Sequence, residues 1–374
     1  MKFIHLSDLH IGKRVNEISM IDDQKYIFNK ILEIIDSEEP KAVLVSGDVY
    51  DTGVPSAEAV LLFNDFLCEL AKRKIEVIII SGNHDNAARL AFGESLMERA
   101  GVHISPVYKG SVKPVVLSDE YGKINFWMLP FIKPIHIKGL FPEAGIESYT
   151  DACRAAIENM DINPAERNVV LAHQFVTGAE TCESEEISVG GTDNVSAEVF
   201  APFDYVALGH LHGPQNIGSN KIRYCGTPLK YSFSERNHHK SVTVAEIREK
   251  GNLEIRLVPL IPKHDMRRIK GTFEQLYSAG SYSEDYIHAV LTDEDDIPEA
   301  VGRLRDIYPN MMILTYENTR TSRNQTIDSA EDVQQKSPIE LFEEFYCRQN
   351  NREMSAEQKK FAEELIESIR EEKA

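Results

Sequence analysis

No stretch of this chain approaches the ~18 consecutive apolar residues that a membrane span needs, so a helical membrane protein is excluded. The start, Met1-Lys2-Phe3-Ile4-His5-Leu6-Ser7-Asp8, lacks the apolar run and cleavage site of a secretory signal. The expected location is therefore the cytoplasm. The cysteines Cys68, Cys153, Cys182, Cys225 and Cys347 are few, odd in number, scattered and without a C-x-x-C. That argues against a disulfide framework and a cysteine zinc site, and for reduced thiols. No Gly-x-x-x-x-Gly-Lys-Ser/Thr occurs, so nothing here cradles a nucleoside triphosphate in a P-loop. Positive charge is scarce as well: Lys+Arg 41 stand against Asp+Glu 60, for a net charge of −19. A protein that lives on DNA is usually basic, and this balance alone favours a small-molecule enzyme. Net charge does not report a local cleft, however, and bound divalent cations would invert the local sign.

What is present is a soluble globular composition, 42% hydrophobic and 27% charged, over 374 residues, enough for two or three domains. Short apolar runs alternate with helical stripes. Phe3–Leu6, Ala42–Val45 and Val77–Ile80 read as strands, with helices carrying Ile27, Ile31, Ile34 and Ile35 and then Val60–Leu70 between them. Pro55 is expected at the first position of the second helix. Further runs occur at Ile124–Leu129, Asn168–Ala172 and Tyr205–Leu208. Runs this apolar imply sheets covered on both faces. A boundary is expected near Pro259–Pro262. Beyond it, Arg268–Thr272, Tyr286–Thr292 and Met311–Tyr316 read as strands, and Phe273–Tyr277 and Pro298–Tyr308 as helices. Residues 319–336 are polar and aperiodic and read as a linker. Capping boxes at Ser337-Pro338-Ile339-Glu340 and Ser355-Ala356-Glu357-Gln358 open two terminal helices. Ile339, Phe342, Phe345 and Tyr346 stripe the first, and Phe361, Leu365 and Ile369 the second. So short a hairpin needs another surface for those stripes: the body of the protein or a partner chain.

Chemistry-bearing residues follow the strands. Asp8 and His10 come after the first run, Gly47-Asp48 after the second, and Gly82-Asn83-His84-Asp85 after the third. His173 follows Asn168–Ala172, and Gly209-His210-Leu211-His212 follows Tyr205–Leu208. Ligands in open α/β sheets gather at the carboxyl ends of strands, so these groups are expected at one rim. Two carboxylates, one amide oxygen and four imidazoles suit Mn²⁺, Fe²⁺ or Zn²⁺ better than Ca²⁺ or Mg²⁺ alone. Seven donors are too many for one such ion and about right for two, with one carboxylate shared. Taken singly, each fragment has a plainer reading: His173 as a buried imidazole bonded to backbone, Asp48 as a turn or cap residue. Five such fragments in order, each after an apolar run, are hard to obtain by chance.

This series resembles the calcineurin-like metallophosphoesterase superfamily. Asp8-Leu9-His10-Ile11-Gly12-Lys13, Gly47–Gly53, Ala172-His173-Gln174-Phe175-Val176-Thr177-Gly178 and Glu183-Ser184-Glu185 bring it closest to the bacterial SbcD family, nuclease subunits of SbcCD complexes. The resemblance implies a fold of two packed sheets flanked by helices (α/β), with a small α+β capping domain and a C-terminal helical hairpin. It also implies two Mn²⁺ ions, with Mg²⁺ or another divalent cation as the alternative. Asp8, His10 and His212 would hold one ion, Asn83, His173 and His210 the other, and Asp48 would bridge. His84 would sit over the scissile phosphate as a catalytic residue rather than a ligand, oriented by Asp85. Asp51 lies where some relatives carry a substrate-binding histidine, and a carboxylate cannot take over that positive role. Lys13, Arg14 and Arg89 are candidate phosphate contacts, with a solvated loop as the plainer reading.

The same resemblance divides the chain into a nuclease domain (1–260), a capping domain that positions DNA (261–318), the linker, and a helix-loop-helix (337–374) that binds the coiled-coil base of the ATPase SbcC. It implies a homodimer through helices near 60–70 and 90–100, where Phe63, Leu67, Leu96 and Met97 either face the partner or face the protein's own sheet. It implies double-strand exonuclease and single-strand or hairpin endonuclease activity in nucleoid-associated DNA repair and recombination. The alternatives are a phosphoesterase acting on nucleotides or phosphoproteins, and a catalytically silent scaffold.

Overall fold

The apolar runs fold, in the computed structural model, into two six-stranded sheets. The structure describes residues 1–182, 185, 193–278, 282–319, 338–350 and 353–371. They divide into compact units at Met1–Met266 and Arg267–Ala374, against a boundary expected at 260. Glu183 and Ser184, most of the expected linker, and Ser337 lie outside the described residues.

In the first sheet the order is Leu253–Pro259, Ser241–Ile247, Lys2–Leu6, Ala42–Ser46, Glu76–Ile80 and Val102–Ile104. Its last four strands are mutually parallel; Ser241–Ile247 runs antiparallel to Lys2–Leu6, and Leu253–Pro259 runs antiparallel to Ser241–Ile247. In the second sheet the order is Gln215–Ile217, Ser219–Tyr224, Tyr205–Gly209, Arg167–His173, Gly122–Met128 and Pro114–Asp119. Its four central strands are parallel. The sheets pack face to face: Phe3, Leu44, Ile78 and Ile80 of one and Phe126, Val169, Leu171 and Tyr205 of the other share one buried core. Helix Tyr149–Glu158 covers the outer face of the second sheet through Ala152, Cys153, Ala156 and Ile157. Burial on both faces explains why these strands carry no alternation.

The second helix spans Ala57–Lys72 and is capped by Ser56, whose hydroxyl accepts from the Ala59 N–H. Pro55 therefore precedes the cap and does not occupy the first helical turn. A serine can satisfy an orphan donor and a proline cannot, and that sets the boundary. Phe63, expected as a candidate dimer contact, is buried in the protein's own body against Tyr50, and Leu67 is half-buried. Leu96 and Met97 are exposed, on a segment broken into short turns at Ala87–Leu90, Glu94–Met97 and Glu98–Ala100. Among the described residues, no helix is long and apolar enough to cross a membrane.

In the second unit, Met266–Gly271, Tyr286–Leu291 and Met311–Tyr316 form a three-stranded sheet. Helices Phe273–Ser278 and Ala300–Arg305 close a small core with it, of Phe273, Leu276, Ile287, Leu291, Leu304 and Tyr308. Helices Pro338–Asn350 and Ala356–Glu371 pair through Lys359 and Glu343 (2.6 Å) and through Tyr346 and Gln358 (3.2 Å). The Ser355 capping box is present: Gln358 N–H donates to the Ser355 hydroxyl, and Ser355 N–H donates to Gln358 Oε1. Phe342, Phe345, Phe361 and Leu365 are exposed. Ile369 lies among residues whose side chains are not described.

Candidate metal centre

The strand ends place the polar fragments at one rim. The backbone there is unusual: Asp8, His10, Asp48 and His210 all have positive φ (52°, 43°, 49° and 103°). Non-glycine residues rarely adopt this region and do so at a cost in strain. Among the described residues, four of the nine non-glycine residues with positive φ belong to this group of seven. The neighbouring glycines serve close approach. A Cβ on Gly82 would lie 2.1 Å from Asp48 Oδ1, and one on Gly209 would lie 1.9 Å from the Ser46 carbonyl oxygen. Strands from both sheets can therefore bring their donors into contact only through bare backbone at these points.

The structure brings all seven expected donors together in two groups. In the first, His10 Nε2 lies 3.2 Å from His212 Nε2, and Asp8 shares with both a zone in which their donor atoms lie within 4.8 Å of one another. In the second, Asn83 Oδ1 lies 2.9 Å from His173 Nε2 and 3.0 Å from His210 Nδ1. Asp48 Oδ2 stands between the groups, 3.7 Å from His10 Nε2 and 3.3 Å from His173 Nε2. Its Oδ1 accepts from the His84 N–H at 2.9 Å. Asp8 accepts from the His210 N–H at 2.9 Å and from the Ser7 hydroxyl. Donors that are fully or almost fully buried line most of the site: Asp8, Asp48, His10, His173, His210 and His212.

Ring orientation follows from the second nitrogen. His173 Nδ1 lies 2.8 Å from the Ser46 carbonyl and His84 Nδ1 lies 3.0 Å from the Asp51 carbonyl. A carbonyl only accepts, so both Nδ1 atoms carry protons. His212 Nδ1 faces Glu235 Oε1 at 3.3 Å, and His10 Nδ1 faces Asp51 Oδ1 at 3.3 Å. Both rings thus turn Nε2 toward each other. Two imidazole lone pairs opposed at 3.2 Å repel, and a divalent cation relieves that arrangement.

Charge is distributed unevenly. Burial pushes the pKa of His10 down to about 4, against Asp51 and Asp48. Burial and His173 push His210 down to about 3, and burial lowers His212 despite Glu235. These rings are neutral bases at neutral pH, which is the ligand form. His173 goes the other way: burial opposes protonation, but Asp48 and Asp8 hold its pKa up at about 9. Burial would raise Asp48, yet His173, His10 and His84 keep it below the carboxylate range. Burial, with Asp48 adding to it, lifts Asp8 to about 7 against His173. The donor set, short of positive charge and rich in neutral nitrogen, fits divalent cations.

Other expected residues fall differently. His84 forms a further close group with His10 and Asp48, so distance alone does not separate it from the donors. Asp85 does not hold the His84 ring. It accepts from the backbone N–H groups of Gly82, Val49 and Tyr50, and ties the third-strand loop to the second. A carboxylate surrounded by three orphan donors satisfies those first, and the Asp51 carbonyl takes His84 Nδ1. Lys13 pairs with Asp51 at 2.7 Å. Arg14 is exposed and donates to the Glu17 carbonyl, while exposed Arg89 donates to the Gly53 carbonyl at 2.8 Å. Sequence reasoning missed Glu235 and Lys240, buried behind His212, and Gln24, which donates to the His10 carbonyl at 2.8 Å. None lies in a motif or at the carboxyl end of a strand.

The family profile described as Calcineurin-like phosphoesterase matches residues 1–214, and one described as Type 5 capsule protein repressor C-terminal domain matches residues 262–350. Among curated relatives, the SbcD subunit of the SbcCD nuclease from Staphylococcus epidermidis is 31% identical over 376 residues, covering 99% of this chain and 99% of its own. Solved structures that match include a dimetal phosphatase from Danio rerio (12% identical, 70% of this chain and 96% of that one, TM-score 0.42) and Yfce, a phosphoesterase from E. coli (12% identical, 70% and 100%, TM-score 0.27). Likenesses that weak carry nothing further.

Proposed function

Because the chain belongs to the calcineurin-like phosphoesterases and, within them, to the SbcD family, we propose that it is the Mn²⁺-dependent nuclease subunit of an SbcCD-type complex. The family makes it a metal-dependent phosphodiester hydrolase; the finer reading is exonuclease action on duplex ends and endonuclease action on single strands and hairpins, in end processing, recombination and repair on the nucleoid. The observation that carries it is Asp48, whose Oδ2 lies between one imidazole of each donor group.

In this reading Asp8, His10 and His212 hold one divalent cation, Asn83, His173 and His210 hold the other, and Asp48 serves both. When bound, the pair acidifies a water and offsets phosphate charge. His84 keeps its Nδ1 proton on the Asp51 carbonyl, so its Nε2 is the atom offered to substrate. As an imidazolium, with Nε2 protonated as well as Nδ1, the ring would donate a proton to the leaving oxygen or stabilise charge developing on the phosphate. Asp85 acts indirectly, by fixing the loop that carries Asn83 and His84 against the loop that carries Asp48. Arg14 and Arg89, with side chains in solvent, are the candidate contacts to flanking phosphates, whereas the Lys13 ammonium is already paired with Asp51 and is the weakest of the three.

Residues 261–318 are read as a capping domain that positions DNA. The paired terminal helices are read as the element that grips the base of the SbcC coiled coil, supported by the exposed Phe342, Phe345, Phe361 and Leu365. ATP use belongs to that partner. A homodimer through the segments near 60–70 and 90–100 is supported by exposed Leu61, Phe92 and Leu96 rather than by buried Phe63. The decisive experiment incubates the purified chain with a linear duplex, first with Mn²⁺ and then with EDTA. Expected is degradation only with the metal. Activity on cyclic nucleotides or phosphopeptides with none on DNA would overturn the substrate assignment. Deletion of 337–374 should abolish SbcC pull-down and spare hydrolysis.

A further inference from the structure

Behind His212 lies a buried assembly that no motif announces. Glu235 sits on the short helix Phe233–Asn237, fully buried, and presents Oε1 to His212 Nδ1 at 3.3 Å. Its other oxygen, Oε2, accepts from Lys240 Nζ at 2.5 Å and from the Thr227 hydroxyl at 3.3 Å. Lys240 is also buried and spends its remaining donors on the His212 carbonyl oxygen at 2.8 Å and on Thr227 Oγ1 at 2.6 Å. His212 is therefore held at its ring by the carboxylate and at its backbone by the ammonium. A carboxylate accepts and does not donate, so it keeps the proton on Nδ1 and leaves the Nε2 lone pair facing His10. A buried carboxylate without a counter-charge would be costly, and Lys240 supplies that charge without displacing the ring.

We propose that Glu235 is a positioning residue that fixes the tautomer and aim of His212, with Lys240 as the counter-ion that makes Glu235 tolerable there. The Glu235–Lys240 pair thereby sets the affinity of one of the two cation sites, the one that includes Asp8 and His10, and leaves the other largely alone. This rests on the reading of His212 as a metal-binding residue. Outer-shell carboxylates of this kind typically change metal affinity about 10–100-fold.

The first test needs no variant. In metal-free protein labelled with ¹⁵N-histidine, the His212 ring, assigned by loss of its signals in His212→Gln, should show a protonated Nδ1 and a bare Nε2. A proton on Nε2 would overturn the inference outright. The second test titrates Mn²⁺ calorimetrically into apo wild type, His212→Gln and the charge-neutral double variant Glu235→Gln/Lys240→Met. The double variant should bind one ion as wild type does and the other about 10–100-fold more weakly, with the spin-coupled Mn²⁺ pair lost from the EPR spectrum at limiting metal. If His212→Gln binds two ions like wild type, the metal-binding reading of His212 itself fails. If His212→Gln loses one ion while the double variant keeps both at wild-type affinity, only the role of Glu235 fails. Should the double variant not fold, Lys240→Arg, which keeps the counter-charge, provides the comparison: it is expected to retain both affinities, and loss of both would count against a role confined to one site.

Discussion

His173 and His212 stand in opposite donor groups, with Asp48 between, and each ring keeps its Nδ1 proton on a different kind of partner. For His173 the partner is the neutral Ser46 carbonyl at 2.8 Å; for His212 it is the Glu235 carboxylate at 3.3 Å, itself balanced by Lys240. The consequences diverge. With both nitrogens facing acceptors, Ser46 O on one side and Asn83 Oδ1 and Asp48 Oδ2 on the other, His173 favours the imidazolium and its pKa rises to about 9. His212, facing another imidazole, stays neutral because burial lowers its pKa. The His173 imidazole of one half thus carries a proton where a cation would bring charge, while the two rings of the other half, His10 and His212, are already in ligand form. Cation uptake at the His173 side must release that proton.

Asp48 is the residue that makes the two halves one site, and its removal should have the largest effect. Asp48→Ala is expected to bring Mn²⁺-dependent hydrolysis to background and to lower the bound metal at both sites, measured by elemental analysis after desalting. Loss of one ion only would mean that the halves are independent. Next in size is His84→Gln, expected to slow hydrolysis by about 10²–10³-fold while metal content stays at wild-type level. A parallel loss of metal would move His84 into the donor set, where its closeness to His10 and Asp48 already puts it by distance.

The strands and the donors behind this contrast are legible in the amino-acid sequence. The strands Lys2–Leu6, Ala42–Ser46, Glu76–Ile80, Arg167–His173 and Tyr205–Gly209 are legible because burial on both faces leaves unbroken apolar runs, and the donors are legible because each follows such a run. Pro55 misleads because its fixed φ suits both the first turn and the residue before a cap, and only the Ser56 hydroxyl decides. Asp85 misleads because adjacency in sequence to His84 says nothing about which of the nearby N–H groups its carboxylate meets. Glu235 and Lys240 are invisible because they reach His212 through the fold, with no spacing, repeat or apolar run to mark them. The contacts that require Gly82 and Gly209 are equally hidden: a glycine in a motif signals a turn, not the carboxylate or carbonyl that a Cβ would strike.

The protonated state of His173 gives a smaller, pH-dependent effect. Its pKa is raised to about 9 in the folded protein from an ordinary value of 6.5, so its contribution is fully present below pH 6.5 and is lost as pH climbs through 9. That difference corresponds to about 3 kcal/mol in the EDTA-treated protein. Asp8, raised to about 7, acts in the same direction but finishes by about pH 8, while the depressed His10 and His210 act only below 6.5. Denaturant melts at pH 7 and 9.5 should therefore show stability falling with pH in the metal-free wild type and in His212→Gln, and a much flatter response in His173→Gln. An equal slope in all three would break the contrast between the two rings.

The smallest effect is expected at Lys13, and it tests whether the basic residues beside the first donor group serve the site or the loop. Lys13 Nζ is 2.7 Å from Asp51 Oδ1, and Asp51 also faces His10 Nδ1, so the ammonium is already spent on a carboxylate that positions a donor. A partly exposed pair of this kind is worth no more than about 1 kcal/mol, and its loss still leaves Asp51 on His10. Lys13→Ala should consequently change DNA hydrolysis by less than about threefold, chiefly through kcat. A lysine that neutralised a phosphate would behave otherwise: its removal would raise KM and make binding less sensitive to salt, by about one unit in the slope of log affinity against log salt. An unchanged slope assigns Lys13 to the support of His10, whereas a slope reduced by one makes it a DNA contact and leaves Asp51 alone to hold the ring.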